Sequence, residues 1–127
     1  MIVGIGTDII EIQRVERVIG KTPRFYETVF TNDEKSYYIS KGKKIQHLAG
    51  AFASKEAVSK ALGTGFREFS ASDIEVIHDE LGKPQVQLYG EAKKLSDELG
   101  VTNIHITISH CQTYAVAYAV IEGGNSR

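Results

Sequence analysis

At 127 residues, with 42% hydrophobic and 24% charged side chains, the chain has the length of one domain and enough apolar residues for a core, which excludes disorder and low complexity. A balance of 15 basic against 16 acidic residues leaves a formal net charge of -1, too even for a nucleic-acid or membrane-surface protein, so neither partner is expected. The single cysteine, Cys111, excludes an intrachain disulfide framework and fits a reducing, cytoplasmic setting; Gly4, Gly6 and Asp8 interrupt the apolar start, so neither a signal peptide nor a membrane span is expected.

No repeat and no Pro- or Ser-rich linker divides the sequence, so one continuous domain over 1–127 is expected. Ile2, Val3 and Ile5 predict a short opening strand, with Gly4 and Gly6 marking a close backbone approach. From Ile9 the apolar spacing turns helical through Ile12, Val15, Val18 and Ile19, with Gly20 as the stop. Thr31 and Glu34 have the form of a capping box, which starts a helix near Asn32 that runs to about Ser40. The stretch from Ile45 to Leu62, rich in alanine and closed by Gly63 and Gly65, has the composition of a buried helix. Ile74, Val76 and Ile77 predict a strand, Asp79 to Pro84 a turn, and Val86 with Leu88 the returning strand of a hairpin. Pro23, like Pro84, is placed in a turn. Ala92, Leu95 and Leu99 mark a short helix ended by Gly100, and Ile104, Ile106 and Ile108 alternate with His105, Thr107 and Ser109 in a half-buried strand. Residues 114–121, YAVAYAVI, are apolar on both faces, as befits the middle of a sheet or a subunit interface. Helices first and strands later predict an α+β fold, a long buried helix packed on an antiparallel sheet.

On the long helix, Glu56 and Lys60 continue the stripe of Ile45, Ala49, Phe52 and Ala53. A Glu–Lys pair four residues apart is ordinarily an exposed helix stabiliser. On a packed face the two charges need partners, and a metal ion or a phosphate is a natural one. Asp8, between the opening strand and the first helix, is either an N-cap or, if it meets Glu56, the second carboxylate of a magnesium site. Gly4-Ile5-Gly6 does not complete a dinucleotide fingerprint, because Ile9 occupies the third glycine position. Gly63-Thr64-Gly65 follows a helix, so it is no P-loop; it is a helix stop or a source of backbone N–H groups for an anion. His47, His78, His105 and His110 lack zinc spacing, and His110, ending a strand, is either solvated or set to meet a phosphate. Cys111 reads as a spectator. Arg14, Arg17, Lys21 and Arg24 share one arc if the first helix reaches that far, forming either a solvated face or a positive ridge for an acidic protein partner.

Three motifs stand in register: GIGTDIIEI at 4–12, FASKEAVSKALGTG at 52–65 and ITISH at 106–110, with RF at 24–25 and LGKP at 81–84 between them. Over nearly its whole length the chain resembles the holo-[acyl-carrier-protein] synthase family, the short single-domain 4'-phosphopantetheinyl transferases. The resemblance implies transfer of 4'-phosphopantetheine from coenzyme A to a serine of apo acyl carrier protein, releasing adenosine 3',5'-bisphosphate, in support of fatty acid biosynthesis. It also implies a magnesium cofactor and a homotrimer with sites between subunits. By the same resemblance Asp8 and Glu56 are the magnesium ligands, and Asp8, Glu56 and Lys60 the catalytic set. Lys60, Gly63, Lys83, Pro84 and His110 fall against the coenzyme, His110 from a neighbouring subunit, and Arg14, Arg17, Lys21 and Arg24 form the carrier-docking face. Ala51 stands where many relatives carry an arginine associated with the coenzyme's 3'-phosphate, with Lys43, Lys44 and Lys83 as candidates to replace it, and Cys111 where Ser or Thr is common. Two other classes stay open on the residues alone. A non-catalytic binding module for coenzyme A or an acidic protein would not need Asp8, Glu56 and Lys60 together, and a magnesium-dependent nucleotide hydrolase would need a water-positioning motif that is not evident.

Overall fold

In a computed structural model that describes residues 1–124, the chain opens on strand β1 (Ile2–Glu11) and continues through α1 (Ile12–Lys21), α2 (Pro23–Val29), α3 (Asn32–Ser40) and α4 (Ile45–Ala61). Two single 3-10 turns lead to the hairpin β2 (Ile74–His78) and β3 (Pro84–Leu88), then α5 (Gly90–Glu98), β4 (Val101–His110) and β5 (Tyr114–Gly123). β5 lies between β1 and β4 in an antiparallel sheet, and the hairpin forms its own two-stranded sheet. The α+β class and the long helix on an antiparallel sheet are as expected, and so is the central place of the two-sided apolar strand.

The start of the chain differs. β1 pairs with β5 from Ile2 opposite Glu122 to Glu11 opposite Tyr114, so the residues from Ile9 to Glu11 extend a strand where a helix was expected. The inward positions of β1 are Gly4, Gly6, Asp8 and Ile10, three of them not apolar, which hides the period-two pattern a strand normally shows. α1 ends at Lys21, and Thr22 separates it from α2, which Pro23 begins at a position where its missing N–H costs nothing. Pro84 likewise opens β3 and does not sit in the turn.

α4 crosses the inner face of the large sheet on a row of small residues. Ala53, Ala57 and Ala61 join Ala117, Ala119 and Ile121 in one core cluster, completed by Val58, Leu62 and Ile74. A Cβ added to Gly4 would stand 2.0 Å from the Ala61 carbonyl oxygen, and one added to Gly6 would stand 2.1 Å from that of Ala57. Helix and strand backbones therefore touch, which fixes α4 against β1 more closely than ordinary side chains permit. α1 to α3 gather a second cluster around Phe30, Leu48 and Val15. Between the layers lies a buried ion pair, Lys55 Nζ to Glu34 Oε1 at 2.8 Å. Lys55 also donates to the carbonyls of Ala71 and Ile74, while Glu34 accepts from Thr31 N at 2.9 Å and Val76 N at 2.7 Å. The capping-box glutamate thus ties α3, α4 and β2 together with its hydrogen-bonding capacity well used.

The outer face of the sheet carries exposed apolar side chains on β1 and β5, with Ile5 66% exposed, Ile9 64% and Tyr118 54%, beside the polar His105, Thr107 and Ser109 of β4.

Candidate functional site

Asp8 follows Gly6 by two residues and so shares the inward face of β1, where α4 lies against it. Glu56 and Lys60, one helical turn apart, project from α4 toward the same place. Lys60 Nζ lies 3.2 Å from Asp8 Oδ1 and donates to the Thr7 carbonyl at 3.0 Å. Glu56 is half-buried, and the ion pairs of the described residues leave it without a partner. Burial first, and the charge of Asp8 second, push the Glu56 carboxyl above the usual carboxylate range, with Lys60 working the other way. The three residues expected to form a catalytic set are therefore assembled from two distant stretches of chain. Asp8 is no N-cap: Glu11 holds that position at α1, and without a side-chain cap bond.

Asp8, Glu56 and Arg14 line a cleft of about 450 Å³. Its apolar wall includes Val15, Val18, Phe25 and Phe52. Phe25 and Phe52 lie 5.5 Å apart between ring centroids. Phe25 was not singled out from the sequence because α2 was not legible, although it is half of the RF motif. The basic residues do not share one helix arc: Arg14, Arg17 and Lys21 lie on α1, and Arg24 follows the break at Thr22 on α2.

Pro84 and His110 line a second, smaller cleft of about 170 Å³, together with Tyr37, His47, Ala51 and His78. None of the residues lining it lines the first cleft. Gly63 closes α4 at φ +92°, and its N–H donates to the Lys60 carbonyl at 3.0 Å, so that amide serves the helix stop. Lys83 sits exposed in the β2–β3 turn, and Lys43 is exposed with φ +57° between α3 and α4.

Among the described residues no group of three or more His, Cys, Asp or Glu could enclose a metal ion. Two carboxylates that repel each other, with the remaining coordination open to water and substrate, suit magnesium, which takes hard oxygen donors and keeps several waters. Two carboxylates beside a lysine, at a cleft that Arg14 also lines, can hold and polarise a phosphate ester.

Residues 4–119 match the family model described as the 4'-phosphopantetheinyl transferase superfamily. The chain is 49% identical over 126 residues to the holo-[acyl-carrier-protein] synthase of Clostridium novyi, covering 99% of this chain and 91% of that one. Its fold is similar to the crystal structure of the Neisseria meningitidis holo-[acyl-carrier-protein] synthase, with a TM-score of 0.88, 35% identity and coverage of 96% and 99% of the two chains. It is also similar to the Helicobacter pylori holo-[acyl-carrier-protein] synthase in complex with coenzyme A, with a TM-score of 0.82, 31% identity and coverage of 93% and 99%.

Proposed function

The chain belongs to the 4'-phosphopantetheinyl transferase superfamily, and from that premise we propose that its one domain, 1–127, moves the 4'-phosphopantetheine group of coenzyme A onto a serine of apo acyl carrier protein and releases adenosine 3',5'-bisphosphate, in support of fatty acid biosynthesis. One observation carries the proposal: Asp8 and Glu56 line a single cleft, and Lys60 pairs with Asp8 at 3.2 Å. The carrier's serine oxygen attacks the phosphorus that bears the pantetheine. A new P–O bond forms as the bond to the bridging oxygen breaks; the serine hydroxyl proton is released to solvent, and the nucleotide leaves with the charge. The Lys60 ammonium neutralises that charge, a role supported by its place 3.2 Å from Asp8. Asp8 and Glu56 would hold magnesium, which would supply Lewis acidity to the phosphoryl transfer. Their mutual repulsion is what a divalent cation relieves.

Arg14, Arg17, Lys21 and Arg24 receive an acidic carrier protein beside the phenylalanine wall of the same cleft. Pro84 and His110 belong to the coenzyme site, and their separation from the carboxylate pair within one chain supports a site completed by a neighbouring copy. A homotrimer joined through the outer face of the large sheet is supported by the exposed Ile5, Ile9 and Tyr118. Gly63 and Lys83 stay in the coenzyme set on the resemblance alone. A cytoplasmic location accords with an exposed free thiol at Cys111.

The test is direct: incubate the protein with coenzyme A, magnesium and an apo acyl carrier protein, then weigh the carrier. A gain of one phosphopantetheine is expected, lost when magnesium is chelated. An unchanged carrier mass with every divalent metal offered overturns the proposal.

A further inference from the structure

The proposed chemistry makes no use of the most deeply buried charge on α4. Lys55 precedes Glu56 in the chain and is wholly buried. About 100° of helix turn separates the two side chains, so Lys55 reaches α3 and the start of β2 while Glu56 lines the cleft beside β1. Three bonds hold the ammonium: to Glu34 Oε1 at 2.8 Å, to the Ala71 carbonyl at 3.1 Å, and to the Ile74 carbonyl. Glu34 in turn accepts from Thr31 N on one oxygen and from Val76 N on the other. All three donors of the lysine and both oxygens of the glutamate are used, and the middle of α4 is pinned to α3, to the segment before β2 and to β2 itself.

Glu56 has no such support. It is half-buried and has no ion-pair partner among the described residues, so its carboxylate goes where the helix backbone carries it. Gly4 and Gly6 let α4 come close to β1 at Ala57 and Ala61, but glycine has no side chain to grip a neighbour. That contact sets the distance between helix and strand more than it sets the rotation of the helix. A side-chain tip rides about 5–6 Å from the helix axis, so a roll of about 10° moves it by about 1 Å. A buried ion pair often adds no stability over apolar side chains of similar volume, whereas its fixed bonds do define one rotation and one register.

We propose that Lys55, held by Glu34, is a positioning residue: the buried pair fixes the rotation of α4 so that Glu56 and Asp8 stand at the spacing one divalent cation requires. The proposal rests on the reading that these two carboxylates hold magnesium. Loosening the pair leaves both carboxylates in the chain but lets one drift, and groups that support a metal ligand from behind typically cost about 10–100-fold in metal affinity or activity when lost. The effect falls on the metal and spares carrier recognition, because Arg14, Arg17 and Lys21 stand on α1, which none of the bonds of the pair reaches.

Two constants test it in the full chain: the Kd for Mn2+, read from the paramagnetic resonance signal of the free ion, and the magnesium concentration for half-maximal transfer, read from carrier mass. The double variant Glu34→Gln with Lys55→Met removes both charges together, so no unpaired charge stays buried. It is expected to weaken Mn2+ about 10-fold or more and to raise the magnesium half-saturation by a similar factor, with carrier KM unchanged. At a temperature where each variant is fully folded, a loss of stability alone moves neither constant. Leu95→Ala supplies that comparison: it thins the main core from α5, which none of the bonds of the pair reaches, and is expected to lower the urea midpoint and keep both metal constants. If the double variant does not fold, Glu34→Gln alone, which keeps the side-chain shape and the two carbonyl bonds of Lys55, is expected to move both constants the same way. Wild-type metal constants in the folded variant overturn the proposal, and so does a Leu95→Ala variant that weakens the metal equally. Mn2+ that binds the wild type and weakens in the variant, with no gain in carrier mass, supports the positioning role and sinks the transferase reading. A wild-type chain that binds no Mn2+ overturns the positioning role, and transfer that proceeds in that case leaves the transferase reading standing without its metal.

Discussion

Replacing Gly6 by alanine perturbs the contact that brings the site together. The new methyl would stand 2.1 Å from the Ala57 carbonyl oxygen and 2.9 Å from Ala61 N, against 3.4 Å or more for ordinary contact. Both obstacles are helix backbone, which cannot rotate aside as a side chain would, so α4 must lift off β1 by about 1 Å. Overpacking of this kind costs about 1–3 kcal/mol, and the upper end is expected because the displaced helix belongs to the main core cluster. The same movement parts Lys60 from Asp8, now 3.2 Å apart, and a misplacement of about 1 Å at reacting groups costs about 100-fold in rate. Gly20→Ala is the matched control, because nothing lies within 4 Å of its added Cβ; it should stabilise α1 by about 0.5–1 kcal/mol and leave the rate unchanged. Urea melts and mass-spectrometric transfer rates, corrected for the folded fraction, measure both effects. If Gly6→Ala behaves like Gly20→Ala in the two assays, the close approach of β1 and α4 does not hold the site.

Glu56→Gln removes a charge that Asp8 repels. A carboxyl whose folded pKa lies above its unfolded value binds protons more tightly when folded, so its ionisation lowers stability as pH rises past the carboxylate range. Without metal, the variant should melt no lower than wild type at about pH 7, lose that edge toward about pH 4, and lose most magnesium-stimulated transfer; a lower neutral midpoint or full activity contradicts this. Reversing Arg17 and Lys21 to glutamate should raise the carrier KM several-fold and flatten its salt dependence, with coenzyme A affinity by calorimetry unchanged, because exposed charges act on encounter and are screened over about 8–10 Å. An unaltered salt slope would reduce the ridge to a solvated face. Ile5→Glu should leave the urea midpoint of the subunit near that of wild type yet disperse the oligomer in sedimentation, and an intact trimer in that variant rejects the outer sheet face as the interface.

Features written in neighbouring residues were legible before any coordinates. The Thr31–Glu34 capping box, the alanine-rich α4 with its glycine stop, the β2–β3 hairpin and the alternation of Ile104, Ile106 and Ile108 each depend on a few consecutive side chains. The glycines Gly4 and Gly6 were correctly read as a close approach, though their partner could not be named. β1 was cut short because its inward side is glycine and aspartate, and only pairing with β5, more than a hundred residues away in sequence, keeps Ile9 to Glu11 extended. The carboxylate pair was likewise a conditional idea until β1 and α4 packed, since Asp8 and Glu56 carry no local mark of their meeting. Glu34 shows the same limit from the other side: its capping role is local and was evident, while its buried bond to Lys55 arises from the packing of α3 on α4. His47, His78 and Tyr37 come from separate elements, and no local pattern marks their stacking. Periodicity records which face of an element is buried; which elements share that burial is decided by side-chain shape across the whole core, and there the small residues of β1, β5 and α4 made the choice.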